Sequence, residues 1–269
     1  MQDIRAVLEA LAKGEIDVEE ALKKIRIYSI EVINNAVRYD VGRAARRDVP
    51  EIVFGEGKDV STLEKIVRKV IEGTGIIIIS RLTPQQVEML KQLNIDNVEV
   101  NVNALGRIAV IKLKNTPIRS YMCKIGIITG GTADIAVAEE AKTVIEYMGC
   151  KTLAIYDVGI AGFHRVIEAV KKLKEEDVDA VVAIAGMEGA LPSVIASLID
   201  VPVIGVPTST GYGIGGGGTA ALYSMLQACP LGLAVVNIDN GVGAGVVAGL
   251  IGRRIALTKE KFLAISSNR

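Results

Sequence analysis

Lys124-Ile125-Gly126-Ile127-Ile128-Thr129-Gly130-Gly131-Thr132-Ala133-Asp134 opens the half of the chain whose pattern decides the fold. An apolar run ends in small residues, and a helical stretch follows at 133–148. The same unit recurs downstream. Apolar runs lie at 152–157, 179–185, 202–206 and 233–238, with helical stretches at 163–175, 188–199, 219–228 and 243–252. Five short apolar runs alternating with helices predict an α/β architecture with a parallel, doubly wound sheet. Strands covered by helices on both faces read as continuous hydrophobic runs, as these do. Ligands on such sheets bind outside the carboxyl ends of the strands, so the loops after the strands are where function is sought.

Upstream, residues 2–13 and 17–38 predict helices separated by Gly14, with Asp17 and Glu20 as a capping box. A basic, irregular stretch runs from Tyr39 to Pro50. Next come a strand at 51–54, a helix at 60–72, a strand at 76–80, a helix at 83–93 and strands at 97–102 and 107–113. This order suggests a small α+β domain behind a helical arm. Asn115-Thr116-Pro117 is a turn-forming boundary, giving expected domains at 1–118 and 119–269.

Composition excludes several classes. The 269 residues carry 31 basic and 31 acidic side chains, so no global field draws the chain to nucleic acid or an anionic membrane. Residues 201–238 are uncharged, but Pro202, Pro207, Pro230 and the glycines of 211–218 break the run before it reaches a membrane span of about 20 residues. The N-terminus is charged at Asp3, Arg5 and Glu9 and lacks a signal-peptide core, which predicts a cytoplasmic chain. Three cysteines, an odd count, argue against a disulfide framework. No Cys/His spacing suggests structural zinc.

At the first strand end, Gly130, Gly131, Thr132 and Asp134 precede a helix, which suits a phosphate or carboxylate held by backbone N–H groups. A tight turn with Asp134 as a helix-start charge accounts for them equally. After the second strand, His164 and Arg165 stand at a helix start on the ligand side, although a lone histidine is often structural. After the third comes Gly186-Met187-Glu188. Glu188 is the only charge between Asp179 and Asp200, so partial desolvation and a raised pKa are expected, suited to proton transfer. The alternative role is again a helix-start charge.

The fourth loop, Thr208 to Gly218, contains G-x-G-x-x-G at 211–216. Pro207 to Thr210 separate its first glycine from the strand and no Walker lysine follows. It is therefore read as a mobile backbone-donating loop with Gly215, Gly216 and Gly217 over a ligand, not as a nucleotide fingerprint. Asp239 ends the last apolar run. Cys229 closes an apolar helix, where packing is the ordinary role of cysteine.

Between Glu175 and Gly252 there is no Lys or Arg. An anionic substrate must therefore find its cations elsewhere, at Lys124 or Arg165, or in the basic group Arg43, Arg46 and Arg47 of the N-terminal arm. The arm's charges otherwise read as a solvated run.

Residues 124–252 resemble the PurE family of aminoimidazole ribonucleotide mutases. The likeness runs through Gly130-Gly131-Thr132-Ala133-Asp134, His164-Arg165, Ala185-Gly186, Leu191-Pro192, the 201–207 strand and Leu222-Tyr223-Ser224-Met225-Leu226-Gln227. The departures are Gly131 and Ala133 in the first turn, Glu188, the polyglycine loop and Cys229. These are similar to the PurE-related LarB family, the pyridinium-3,5-biscarboxylic acid mononucleotide synthases. So are Asp157-Val158-Gly159-Ile160-Ala161-Gly162, Asn237-Ile238-Asp239-Asn240-Gly241 and the arm from Asp40 through Arg43, Arg46 and Pro50 to Lys58.

The resemblance implies carboxylation of nicotinic acid adenine dinucleotide with CO₂ or bicarbonate, and cleavage releasing AMP, toward nickel-pincer cofactor biosynthesis. It also implies Mg²⁺ or a similar divalent cation and a homo-octamer. Cys229 becomes the nucleophile and Glu188 the base. Asp134 and His164 become groups orienting ligand or metal, and Gly130, Gly131 and 215–218 admit the phosphates. Two other readings compete. A purine-type carboxylase or mutase needs no thiol, and a non-enzymatic nucleotide-binding module releases no AMP.

Overall fold

The computed structural model describes residues 4–26, 30–33, 37–47, 49 and 51–267. The chain forms two compact units, one of Met1–Val102 with Ile108–Thr116, the other of Asn103–Arg107 with Pro117–Arg269.

In the first unit, helices α1 (Ile4–Ala12) and α2 (Val18–Arg26) flank Gly14, and the Asp17 carboxylate accepts from Glu20 N at 2.7 Å. The helix expected over 17–38 ends at Arg26. Strands β1 (Glu31–Ile33) and β2 (Val37–Tyr39) instead pair antiparallel, Glu31 opposite Tyr39. The β-branched and aromatic side chains of this stretch favour extended backbone over the helical spacing that also fits it. Residues 27–29 and 34–36 of that expected helix lie outside the described residues, as do Asp48 and Pro50 of the stretch read as irregular. Within that stretch Arg43–Arg47 form a short helix, α3.

Strands β3 (Ile52–Phe54), β4 (Ile76–Ser80), β5 (Val98–Asn103) and β6 (Ile108–Leu113) make a sheet of order β3-β4-β6-β5. Helices α4 (Val60–Thr74) and α5 (Pro84–Gln92) complete the unit. Asp59 caps α4 through Thr62 N, and Thr83 with Gln86 forms a capping box on α5. Leu63, Ile66, Val67 and Val70 of α4 pack on Ile77 and Ile79 of β4 in its core.

In the second unit, strands β7 (Lys124–Thr129), β8 (Lys151–Ile155), β9 (Ala180–Ala185), β10 (Val203–Pro207) and β11 (Leu233–Val235) form a parallel sheet of order β11-β10-β9-β7-β8. Helices α6 (Ile135–Tyr147), α7 (Phe163–Glu175), α8 (Leu191–Leu198), α9 (Thr219–Leu226) and α10 (Gly241–Ser267) connect and cover it. All six residues of β9 are buried, which is why its sequence is uniformly apolar. One core lies on each face, with Ile125, Ile127 and Val182 in one and Ile128, Val181 and Ala183 in the other.

The order reverses at β7, whose chain neighbour β8 lies on one side and β9 on the other. That is the topological switch point at which such sheets bind ligands. Register levels the strand ends there, with Thr129 opposite Ile184 and Pro207 opposite Ala185.

The helix expected at 243–252 is longer, reaching Ser267. By length and composition α10 is apolar enough to cross a membrane, but Ala244, Ala248 and Ala256 are buried in the core of this unit. Those alanines let it lie close against α6 and the sheet.

The expectation of no disulfide is overturned. Cys123 and Cys150 are bonded, and Cys229 is the free cysteine. Counting parity missed that these two residues directly precede the first pair of adjacent parallel strands. Lys124 pairs with Lys151, so the residues just before them are brought 4.9 Å apart at Cα. The bridge closes 27 residues of chain. Its reduction is expected to cost about 3 kcal/mol, a fall in Tm on the order of 10 °C. Thermal melts with and without a phosphine reductant, and of a Cys123→Ser, Cys150→Ser variant, measure it.

Candidate functional site

Because the strand ends are level, the loops after β7, β9 and β10 meet at one place. Asp134 follows β7 and is 3% exposed. Its Oδ2 accepts from Gly131 N at 3.0 Å, and its Oδ1 accepts from Thr208 Oγ1 at 2.6 Å. Thr208 begins the loop after β10, so this bond crosses the end of β9. It can do so because residue 186 is glycine. A β-carbon there would stand 2.8 Å from Thr208 Oγ1 and 2.2 Å from the Thr210 carbonyl oxygen. Burial pushes the Asp134 carboxyl above its ordinary value. Hydrogen bonds from Thr208, Gly131 and Thr210 oppose that rise, and the charge of Asp239 adds to it.

Three residues just past the strand ends hold left-handed backbone, Asp157 at φ 58°, Met187 at 51° and Asp239 at 56°. Aspartate tolerates that region, whereas for methionine it costs about 1–3 kcal/mol. Met187 is held there by its N–H, which donates to Thr210 O at 3.1 Å, and by Gly189 N, which donates to Gly186 O at 2.9 Å.

Segments 130–134, 159–161 and 185–191, with Thr210, line a cleft of about 230 Å³ at this edge. A whole dinucleotide needs more, since drug-sized ligand sites run to roughly 300–1,000 Å³. The cleft admits a ring-sized group. A larger groove of about 710 Å³ lies in the first unit, between α4 and α5, but no strand end feeds it.

Gly130, Gly131, Asp134, Gly186 and Glu188 line the cleft; Thr132 borders it within the same turn. Two expectations fail. The N–H groups of Gly130 and Gly131 are already used, by Ile184 O at 2.8 Å and by Asp134. These glycines therefore make room instead of donating to a phosphate. Glu188 is exposed at the cleft lip, so the desolvation expected for it is absent. Its neighbours Met187 and Gly189 both hold left-handed backbone, and the loop turns it outward. The buried carboxylate is Asp134.

His164 is exposed in the first turn of α7 and does not line the cleft. Arg165 donates to Asp157 through its carbonyl at 2.7 Å and its carboxylate at 3.1 Å, which steadies the loop after β8. Lys124 is lost to the site. As the first residue of β7 it stands at the amino edge, bonded to Glu176 at 2.7 Å. Asp239 accepts from Ser209 N at 2.8 Å and so ties the loops after β10 and β11 together. Gly215, Gly216 and Gly217 are outside the cleft lining, in a kinked turn after Tyr212. Arg43 and Arg46 stand on α3 of the first unit, with Arg46 paired to Asp40.

Cys229 does not end α9, which stops at Leu226, and it is not packed but exposed. It lies in the turn leading to β11, close before Gly232, whose carbonyl accepts from Val203 N at the start of β10. That is the amino edge of the sheet. α9 thus separates the thiol from the cleft.

Thr208 and Thr210 were not singled out by sequence, and they organise the site. The available signal was three consecutive hydroxyl residues, Thr208-Ser209-Thr210, immediately following an apolar strand. Among the described residues no three His, Cys, Asp or Glu side chains gather as a metal-binding group. Each oxygen of Asp134 already accepts one hydrogen bond, and no further ligating side chains gather with it into a group of three.

A five-stranded parallel sheet with a buried aspartate and glycine-lined turns at its switch point defines a PurE-like carboxylase or mutase architecture. A family model described as AIR carboxylase matches residues 124–265, and one described as LarB/PurE-like N-terminal domain matches 31–114. The chain belongs to the AIR carboxylase family.

An uncharacterized protein of Methanocaldococcus jannaschii is 44% identical over 94% of this chain and 98% of its own. The N5-carboxyaminoimidazole ribonucleotide mutase of the same organism is 36% identical over 45% of this chain and 74% of its own. The crystal structure of Treponema denticola PurE covers 54% of this chain and 97% of its own, at 17% identity and a TM-score of 0.38.

Proposed function

We propose that this chain carboxylates the pyridinium ring of nicotinic acid adenine dinucleotide with CO₂ or bicarbonate and cleaves the phosphoanhydride. The products are AMP and pyridinium-3,5-biscarboxylic acid mononucleotide, the precursor of a nickel-pincer cofactor. One observation carries the reading: an N-terminal half matching the LarB/PurE-like description is joined to an AIR carboxylase half, together spanning most of the chain. The cleft, of ring size and bordered by carboxylates, is compatible with it.

A pyridinium ring is too electron-poor to attack CO₂. Addition of a thiolate makes it a neutral dihydropyridine, whose enamine carbon forms the new C–C bond. A base then takes the ring proton, and loss of the thiolate restores aromaticity. Glu188, at the cleft lip, is assigned as the base. Cys229 is assigned as the nucleophile. Since it stands at the opposite edge of its own sheet, the thiol in a given cleft is supplied by another copy of the chain. A homo-oligomer, octameric by family likeness, is therefore part of the proposal.

Arg43 and Arg46 are assigned to the phosphates, and unchanged KM and kcat on their replacement by Ala would remove them. A divalent cation, Mg²⁺ by the same likeness, enters only with the substrate's phosphates and water, the usual Mg²⁺ environment. The side chains around Asp134 do not form its site, and no step is routed through it.

The position of Cys229 favours one second reading, a purine-type carboxylase or mutase, because an aminoimidazole is already an enamine. The deciding experiment incubates the full chain with nicotinic acid adenine dinucleotide, bicarbonate and Mg²⁺, and separately with carboxyaminoimidazole ribonucleotide. Mass spectrometry should find AMP and a mononucleotide ring gaining one carboxyl group. Turnover of the imidazole alone rejects the proposal.

A further inference from the structure

We propose that the segment between Thr210 and Gly218 is a lid that folds over the cleft and lays the ring of Tyr212 on a flat, cationic heterocycle held there. The nature of the ligand rests on the function proposed above; the lid itself rests on the following geometry.

The segment is pinned at both ends and free between. Thr210 lines the cleft, and its carbonyl accepts from Met187 N at 3.1 Å. At the other end Gly218 is buried, its α-carbon so close to the Thr208 carbonyl that a β-carbon would lie 2.8 Å from that oxygen. Between these anchors Tyr212 is 83% exposed and Ile214 fully so. Two large apolar side chains therefore stand in solvent beside a cleft, which is a cost unless they have somewhere to go.

Tyr212 sits between two swivels. Gly211 has φ 144° and Gly213 has φ 76°, both in the region that side chains other than glycine avoid. Nothing lies within 4 Å of where a β-carbon would be at Gly213, Gly216 or Gly217, whereas Gly215 packs on Ala220 and Gly211 on Met187, so the open space lies around the tip of the loop. Tyr212 is two residues from Thr210, a chain span of at most about 7 Å. Rotation at Gly211 carries the phenol ring over the mouth, where Met187 and Glu188 form the lip.

The charge pattern names the kind of ring. No Lys or Arg occurs between Glu175 and Gly252, Asp134 and Glu188 line the cleft, and Asp239 adds its charge near Asp134, while Arg165, beside the lining residue Gly159, is paired with Asp157. An electron-rich tyrosine face closing on such a site suits a cationic π-system, which its quadrupole attracts. The same closure would exclude water from the reacting ring.

The chain has no tryptophan, so Tyr212→Trp places a single indole on the lid, excited selectively over the remaining tyrosines. Nicotinic acid mononucleotide is the probe, because a pyridinium ring in face contact quenches indole emission by accepting an electron. Phe262→Trp, exposed near the end of α10, is the control for collisional quenching. Saturable quenching is expected at Tyr212→Trp, only a linear response at Phe262→Trp, and neither with AMP.

In turnover, Tyr212→Ala should raise KM for the dinucleotide roughly tenfold, equivalent to about 1.4 kcal/mol, with kcat much less affected. Tyr212→Phe should restore the KM, since the face and not the hydroxyl acts. If wild type binds the mononucleotide by calorimetry while Tyr212→Trp responds only linearly, the lid is wrong and the pyridinium reading stands. If wild type does not bind it at all, both fall.

Discussion

Replacing Cys229 with serine is expected to slow ring carboxylation by about three orders of magnitude or more, on the scale of removing a catalytic nucleophile. A thiol reaches its nucleophilic form near neutral pH far more readily than a hydroxyl does, and only the former can add to the ring and leave again. The side chain is exposed, so the substitution should change stability by no more than about 0.5 kcal/mol. A melting curve matching wild type then separates lost chemistry from lost fold. The thiol and Glu188 stand at opposite edges of one sheet, so Cys229→Ser and Glu188→Gln chains refolded together should regain activity that neither has alone. An unchanged carboxylation rate in the serine variant would show that no thiol is needed and would return the chain to the purine-type reading.

Asp134→Ala should destabilise the second unit by roughly 1–3 kcal/mol, because it leaves the buried Thr208 hydroxyl and the half-buried Gly131 N–H without their acceptor. Urea unfolding measures the loss. An undiminished midpoint would mean that the strand-end loops do not depend on this carboxyl group.

Asp134→Asn tests the electrostatics separately. An amide can accept from Gly131 and donate to Thr208, so most of the network survives. The native carboxyl is raised by burial above its ordinary 3.8. Below that value both folded and unfolded chains hold the proton, and this group's contribution to stability is fully present. As pH rises the unfolded chain ionises first, and the contribution is lost through the higher folded value. The Asn variant has no proton to lose, so it should gain on wild type from acid toward neutral pH. A constant difference between the two across that range would contradict the raised carboxyl.

Much of the catalytic half was legible because its signals are local. Five apolar runs alternating with helices produce a parallel sheet, and the residue types after each run mark where ligands bind. The first unit's β-α-β-α-β-β order was legible for the same reason. Of the helix expected over 17–38, Val18–Arg26 forms, but Glu31–Ile33 and Val37–Tyr39 were not legible, because Ile and Val at helical spacing also satisfy a hairpin, and long-range packing chooses between them. Glu188 was misjudged because an apolar neighbourhood in sequence is not one in space. Its neighbours Met187 and Gly189 turn the backbone left-handed and send the carboxylate outward. Asp134 looked like a helix-start charge, and it is one through Gly131, but its second bond, to Thr208, spans 74 residues. Nothing local announces such a pair.

Composition and periodicity, by themselves, determined that this chain builds a helix-covered parallel sheet, and that glycines, threonines and carboxylates crowd its strand ends. Those properties follow from burial and backbone geometry within a few residues. Tertiary structure alone decided which of those residues meet. Strand register brought Cys123 to Cys150 and Thr208 to Asp134, and chain direction carried Cys229 to the edge away from the cleft. Pairings between distant segments depend on how strands align in space, and that alignment is set by the packing of the whole sheet.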